Sequence, residues 1–441
     1  MKKLFFVLMI SLFILTACSS KKEDAEFNSK YELVKAEVKH DINYTEFTKE
    51  DYLTFKKKLE SFSYKLTESL FKESSGNFVV SPVSIYMALA MCVECSNNGT
   101  RNELLNALGM TYDEVLKYTK YIYNSLNQSR SVENNLGVEK QMYVSDLSNS
   151  IWIDEAIDLK EECLKILSKE YHLSSYHVPF LKNNQVANNE ITKYVKTKTR
   201  GLIDSNFNLS KETVFALINT YYLKDTWNLE GDDSKMTSSE YQFTSYDNEE
   251  IFEKFLLRGY YSGKALETTT YSSFYTNTQN GITIKFILPK DGYTIDQVFT
   301  KENLENIAED KYIFQDHELK EEYYTRCLFP EFTASFDKDI IDSLKKNFQI
   351  NDLFNFDTCD FTNITDMVVA CQQFIHKAKL EVNRKGIEAA AVTVVGMNGT
   401  AAPIDPVYKK VYLDFIVEKA FGYVIEKDNG IVLFSGVIKT I

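Results

Sequence analysis

Between residues 51 and 72, Tyr52, Phe55, Leu59, Phe62, Leu66 and Leu70 recur at steps of three and four, which predicts an amphipathic helix. The run from Ser81 to Cys95 is more continuously apolar. Pro82 sits at its first turn, where proline is tolerated, so a buried helix is expected there. Arg101 to Leu108, after Gly99-Thr100, is a third helical candidate. Later the pattern shortens. Ile282 to Leu288 and Ala378 to Val382 read as buried or half-buried strands. Tyr412 to Ile416, Gly422 to Ile425 and Ile431 to Val437 are further strands, the last two divided by the turn signal Lys427-Asp428-Asn429-Gly430. Helices dominate early and strands late, without a repeat of fixed period. That order predicts one α+β domain rather than a doubly wound parallel sheet.

The extreme N-terminus is patterned differently. Lys2 and Lys3 precede an apolar run from Leu4 to Leu15, too short for the ~20 residues a spanning helix needs. Residues 1–17 therefore read as a secretory signal peptide. Leu15-Thr16-Ala17-Cys18 resembles a bacterial lipobox. That resemblance implies lipidation of Cys18 and a place in the cell envelope, anchored to the membrane and facing outward. Loss of Lys2 and Lys3 takes the formal charge from −13 to −15. Lys, Asp or Glu fill 14 of the 32 positions from 19 to 50, so 18–50 is expected to be a lipidated Cys with a charged, flexible tether. Residues 51–441 are then the folded domain.

Composition narrows the function. With 30 Phe and 28 Tyr in 441 residues the chain can bury a large core, and 16 Gly with 6 Pro exclude collagen-like and linker architectures. The acidic balance argues against nucleic acid as a partner, since phosphate binding needs clustered Lys and Arg. Apart from Cys18, six cysteines permit up to three disulfides. Cys92 and Cys95 form a CxxC, but it ends an apolar helical run with no second CxxC and no nearby His, so core thiols are expected. G-x-S-x-G, P-loop and G-x-G-x-x-G motifs are absent, and His317-Glu318 lacks a second His four residues on. No catalytic residue, cofactor or metal is expected.

One set of segments is specific. Asn77 to Ile85, continuing through Ala88 to Met91, resembles the serpin family of protease inhibitors. Leu217 to Lys224 with Trp227 is similar to the serpin strand-and-turn segment. Ile284 to Pro289 looks like its strand ending in Leu-Pro, and Asp360 to Ile364 like its Asp-x-Ser-Gly-Ile turn. His376 to Gly386, Phe415 to Phe421 and Leu433 to Gly436 look like its C-terminal signature. The resemblance implies the serpin fold, with about nine helices, three sheets and an exposed reactive loop at about 386–408.

Read from the residues, the first half of that loop suits insertion into a sheet. Gly386 permits a hinge. Strand alternation sets Ile387 on one face with Ala389 and Ala391, and Glu388 on the other with Ala390. Glu388 must stay wet, so the Ile387 face goes inward. The family mechanism is suicide inhibition: a protease cleaves the loop, and the freed half inserts as a central strand. The resemblance further implies a shutter at Ser81, Ser84, Asn219 and His376, and a breach at Trp227. It places the scissile bond about fourteen residues past the hinge, at Thr400 and Ala401. With no Lys or Arg from Gly386 to Tyr408, elastase-like, subtilisin-like or papain-like targets fit better than trypsin-like ones. Ile387 departs from the usual Thr or Ser, and overfilling a tight site costs ~1–3 kcal/mol. The resulting expectation is a monomeric, membrane-anchored inhibitor of serine or papain-like proteases, which is not itself an enzyme. Ile387 keeps open the alternative of a non-inhibitory binding or structural module.

Overall fold

A computed structural model describes residues 26–37, 47–133, 139–227, 235–262, 265–309, 315–316, 318–388, 408–427 and 430–441. The described helices are α1 (Lys49–Phe71), α2 (Pro82–Cys95), α3 (Asn98–Leu108), α4 (Tyr112–Leu126), α5 (Glu161–Glu170), α6 (Asn184–Lys198), α7 (Ile295–Val298), α8 (Lys301–Ala308) and α9 (Ile341–Phe348). Local chemistry sets their ends. Thr48 Oγ1 accepts from Asp51 N at 3.1 Å while Asp51 accepts from Thr48 N at 2.9 Å, a capping box that starts α1. Gly109, at φ +65°, ends α3 in a left-handed conformation. Every residue of α2 is buried, so its sequence carries no polar stripe.

The largest sheet is ordered β1 (Glu32–Val34), β5 (Leu173–Val178), β4 (Glu139–Asp154), β6 (Phe215–Thr226), β17 (Gly386–Glu388), β16 (Ile375–Asn383) and β15 (Phe332–Asp339), with β3 (Gln128–Glu133) paired to β4. A second sheet runs β10 (Leu266–Glu267), β11 (Tyr271–Asn277), β12 (Ile282–Pro289), β19 (Phe421–Lys427), β20 (Ile431–Ile438) and β2 (Phe78–Val80). A third joins β13 (Gln315–Asp316), β14 (Glu321–Phe329) and β18 (Lys409–Ile416), with β9 (Leu256–Ser262) also on β14. β7 (Tyr241–Thr244) and β8 (Glu250–Glu253) form a separate ribbon.

Alternation in β4 sorts two cores. Ile151 and Ile153 face the main cluster, which contains α2, while Trp152 faces a second cluster under α6 with Ala187, Ile191 and Tyr194. The large sheet is thus covered on both faces. Apolar residues of β4 and β6 accordingly fall on both faces, so neither strand shows the simple alternation of a half-exposed strand.

Two expectations are corrected. The tether is not free throughout: Glu32 and Val34 pair with Tyr176 and Ser175 of β5, Phe27 is buried, and Lys49 already opens α1. Charged composition concealed one aromatic anchor. Secondly, the hinge is not part of an exposed loop at its start. Gly386 to Glu388 form β17 inside the large sheet, because the fold opens a gap there that three residues can fill. Cys92, Cys95, Cys163, Cys327, Cys359 and Cys371 are all free and all but Cys359 are buried, which agrees with the core thiols expected at Cys92 and Cys95. Cys18, Ala389, Ala390, Ala391, Thr400 and Ala401 lie outside the described residues.

Gly386 has φ +153°, and a Cβ there would lie 1.8 Å from the carbonyl oxygen of Asp225. Gly386→Ala is therefore expected to eject β17 from the sheet. Hydrogen exchange at 386–388 checks this; protection equal to that of the unmodified chain would contradict the packing.

Candidate functional site

The feature that organises the site is a gap in the large sheet. β6 and β16 run parallel and flank β17, which is antiparallel to both. β17 reaches only the upper end: Gly386 faces Thr226 and Ile387 faces Asp225, while Ile387 also faces Val382. Below it the two long strands are not paired with each other among the described residues. A cavity of about 40 Å³ occupies that position, lined by Asn219, Tyr221 and Leu223 of β6 and by His376 and Ala378 of β16.

The floor of this slot is the N-terminus of α2. Ser81 Oγ and Ser84 Oγ are hydrogen-bonded at 3.0 Å, and Ser81 N donates to His376 Nε2 at 3.2 Å. An acceptor role for Nε2 puts the imidazole proton on Nδ1. Burial lowers the His376 pKa to about 3, so the ring is neutral. On the facing strand, Asn219 Nδ2 donates to Asn149 Oδ1 at 2.7 Å, and Asn149 Nδ2 donates to the Tyr171 carbonyl at 2.7 Å. Asn219 Oδ1 is buried without a partner among the described residues. The four residues assigned to a shutter thus line one cavity. Three are bonded together, and Asn219 stands opposite with an unused acceptor.

The upper end is closed more tightly. The Trp227 indole N–H donates to the Asn383 carbonyl at 2.6 Å, tying the end of β6 to the end of β16. The Arg258 guanidinium lies 4.7 Å from the centre of a Trp227 ring, in cation–π geometry. Ile387 is 1% exposed and belongs to the main core, whereas Glu388 accepts from Tyr222 OH at 2.7 Å on the opposite face. Burying an isoleucine contributes about 1.5–3 kcal/mol. The large residue at this position stabilises a seated hinge instead of obstructing it.

Asp225, directly opposite Ile387, carried no signal in the sequence. Its carboxylate accepts from Thr278 Oγ1, Asn280 Nδ2 and Thr226 N, the first two from more than fifty residues away. Only folding brings those donors together. Burial raises its pKa to about 7, against the hydrogen bonds from Thr278, Asn280 and Thr226 that lower it.

An acid whose folded pKa is raised binds protons more tightly when folded, so ionisation destabilises the native state. The loss begins above the ordinary carboxylate value of 3.8 and is complete above about 7. Asp225→Asn is expected to raise the thermal midpoint relative to the unmodified chain at pH 8, with the difference shrinking toward pH 4. Parallel melting curves across that range check it; a constant offset would contradict the assignment.

The family model "Serpin (serine protease inhibitor)" matches residues 57–440. Over 365 residues the chain is 24% identical to alpha-1-antiproteinase S of Cavia porcellus, covering 82% of this chain and 86% of that one. It is 26% identical over 392 residues to serpin-Z4 of Arabidopsis thaliana, covering 82% and 91%. Among solved structures it is similar to the thermophilic serpin tengpin in its native state, at TM-score 0.69 and 20% identity, over 92% of this chain and 98% of that one. Thyroxine-binding globulin complexed with thyroxine matches at TM-score 0.68 and 20% identity, over 88% and 99%. A slot between parallel strands, capped by β17 and floored by paired serines and a neutral histidine, therefore sits in a chain that belongs to the serpin family.

Proposed function

We propose that this chain is a cell-surface protease inhibitor that traps its target by inserting its own loop. Protease inhibition in general follows from the family. The observation that supports loop insertion here is the slot between β6 and β16, with β17 already seated at its mouth.

The register of β17 extends into a specific docking path. Each residue further along the loop would meet one residue earlier on both flanking strands. Six residues past Ile387, Thr393 would stand opposite Asn219 and His376, which lie six residues before Asp225 and Val382. It shares the inward face of Ile387, so its hydroxyl would meet the unused Asn219 Oδ1. Ala389 and Ala391, between them, are small enough to pass the closed end. Val395 would follow on the same face, opposite Leu217 of β6 and Phe374 just before β16.

The sequence of events is then a matter of bond chemistry and strain. A serine or cysteine nucleophile of the target attacks the carbonyl of Thr400, and the amine of Ala401 departs, leaving an ester or thioester. The freed N-terminal half zips down the slot and completes hydrogen bonds along both strands. The acylated protease is carried away before water hydrolyses the bond. The uncharged loop suits elastase-like, subtilisin-like or papain-like targets. Lipidation at Cys18 would hold the domain at the membrane, facing outward. A non-inhibitory binding module is the competing reading, since a hinge held by a buried isoleucine can also serve as a permanent plug.

Incubation with an elastase, a subtilisin and papain, followed by denaturing electrophoresis, tests the proposal. The expected product is a covalent complex of summed mass. Clean loop cleavage with no complex from any of the three supports the plug instead. Thr400→Arg is expected to shift complex formation toward trypsin by about tenfold or more in rate; unchanged reactivity would displace the scissile bond from Thr400.

A further inference from the structure

The slot is bridged on its outer face. Val195 and Thr199, at the end of α6, and Leu202, Ile203 and Phe207 beyond it line the cavity from the side opposite Ser81 and Ser84. The segment then crosses to the far strand. Lys377 Nζ of β16 donates to Ser205 Oγ at 3.0 Å and to the Asn206 carbonyl at 3.1 Å. Nearby, Ser210 N donates to Gln373 Oε1 at 2.7 Å. A strand that widens the gap between β6 and β16 must break these bonds and lift this cover. The mobility of α6 therefore governs insertion.

What holds α6 is the N-terminal segment. The Phe27 ring lies edge-on to Tyr194 of α6 at 5.3 Å, Tyr176 of β5 at 5.7 Å and Trp152 of β4 at 6.2 Å. Tyr194 is next in sequence to Val195 of the slot wall. Ser29 Oγ donates to Glu190 of α6 at 2.9 Å. Beyond that the chain becomes β1, and His177 N donates to the Tyr31 carbonyl at 2.8 Å. Its far end is fastened to α5 and the following turn. Ser168 Oγ donates to the Lys35 carbonyl at 3.0 Å, Glu37 N donates to the Ser168 carbonyl at 3.2 Å, and the Glu37 carbonyl meets His172 Nδ1 at 2.5 Å. One segment thus binds a sheet edge, one helix beside it and the helix over the slot.

We infer that residues 26–37 are a strap that restrains α6 and so sets the rate at which a strand enters the slot. The inference rests on the insertion reading and adds a control to it. Edge-to-face aromatic pairs stabilise beyond simple burial, and Phe27 makes three of them at once. These contacts clasp α6 to β4 and β5, and they weaken only if α6 rises from the sheet. The strap therefore opposes the movement that insertion requires, while leaving the slot's own residues untouched.

The test compares the full chain, its Phe27→Ala variant and a Ser29→Cys/Glu190→Cys double variant. Each is warmed below its unfolding transition, and the fraction converted to a urea-resistant, loop-inserted form is followed with time. Phe27→Ala is expected to convert about tenfold faster. The oxidised double variant is expected to convert more slowly than the same protein after reduction, a difference that loss of general stability would not produce. Equal rates in the unmodified chain and Phe27→Ala, or in the oxidised and reduced double variant, overturn the strap while leaving insertion intact. If no form becomes urea-resistant, even after cleavage within 389–407, the insertion reading fails and the strap's role with it.

Discussion

Much of this molecule follows from two parallel strands left unjoined at the centre of a sheet. β6 and β16 each pair on their outer sides, with β4 and β15, but between them, among the described residues, only Gly386 to Glu388 supply a bridge. A ladder interrupted in this way leaves hydrogen-bonding capacity unspent in the middle of a fold, and a third strand would use it. The polar groups beneath the gap fit that condition. Ser81, Ser84 and His376 are hydrogen-bonded to one another, so the closed slot is tolerable, yet Asn219 Oδ1 lacks a donor among the described residues. On the insertion reading proposed above, the persistence of such a state is kinetic.

The closed end of the slot concentrates opposing effects in a small volume. Trp227 and Ile387 draw the strands and hinge together through a hydrogen bond and apolar burial. Asp225 works against them, since an ionised carboxylate shielded from water raises the energy of the same region. Gly386 is the one residue that can pass beside the Asp225 carbonyl, because any Cβ would overlap it. Seating and strain are thus set by neighbours on one rung of the ladder. A larger hinge residue stabilises the seat, and a buried acid weakens it.

The cover over the slot extends this balance to the other face. α6 is apolar underneath, and its continuation is pinned to β16 by Lys377. The segment from Glu26 to Glu37 adds a clasp at α6, with Phe27 wedged between helix and sheet. Control of a central gap from a distant terminus needs no long-range field here. It requires only a continuous set of packed side chains from Phe27 through Tyr194 to Val195.

The sequence by itself determined the class, the boundaries of the most periodic elements and the family. Repeated steps of three and four locate α1 within two residues, and Pro82 marks the start of α2. Alternation around Ile387 and Glu388 also assigned their faces, because a strand has period two whatever surrounds it. Tertiary structure alone decided that the hinge is seated, that Asp225 is enclosed by Thr278 and Asn280, and that a charged leader contains an anchor at Phe27. Local patterns report a residue's own backbone preference and the face it buries. The partner it meets across tens or hundreds of residues, and hence its pKa, its strain or its grip, exists only once the chain has closed.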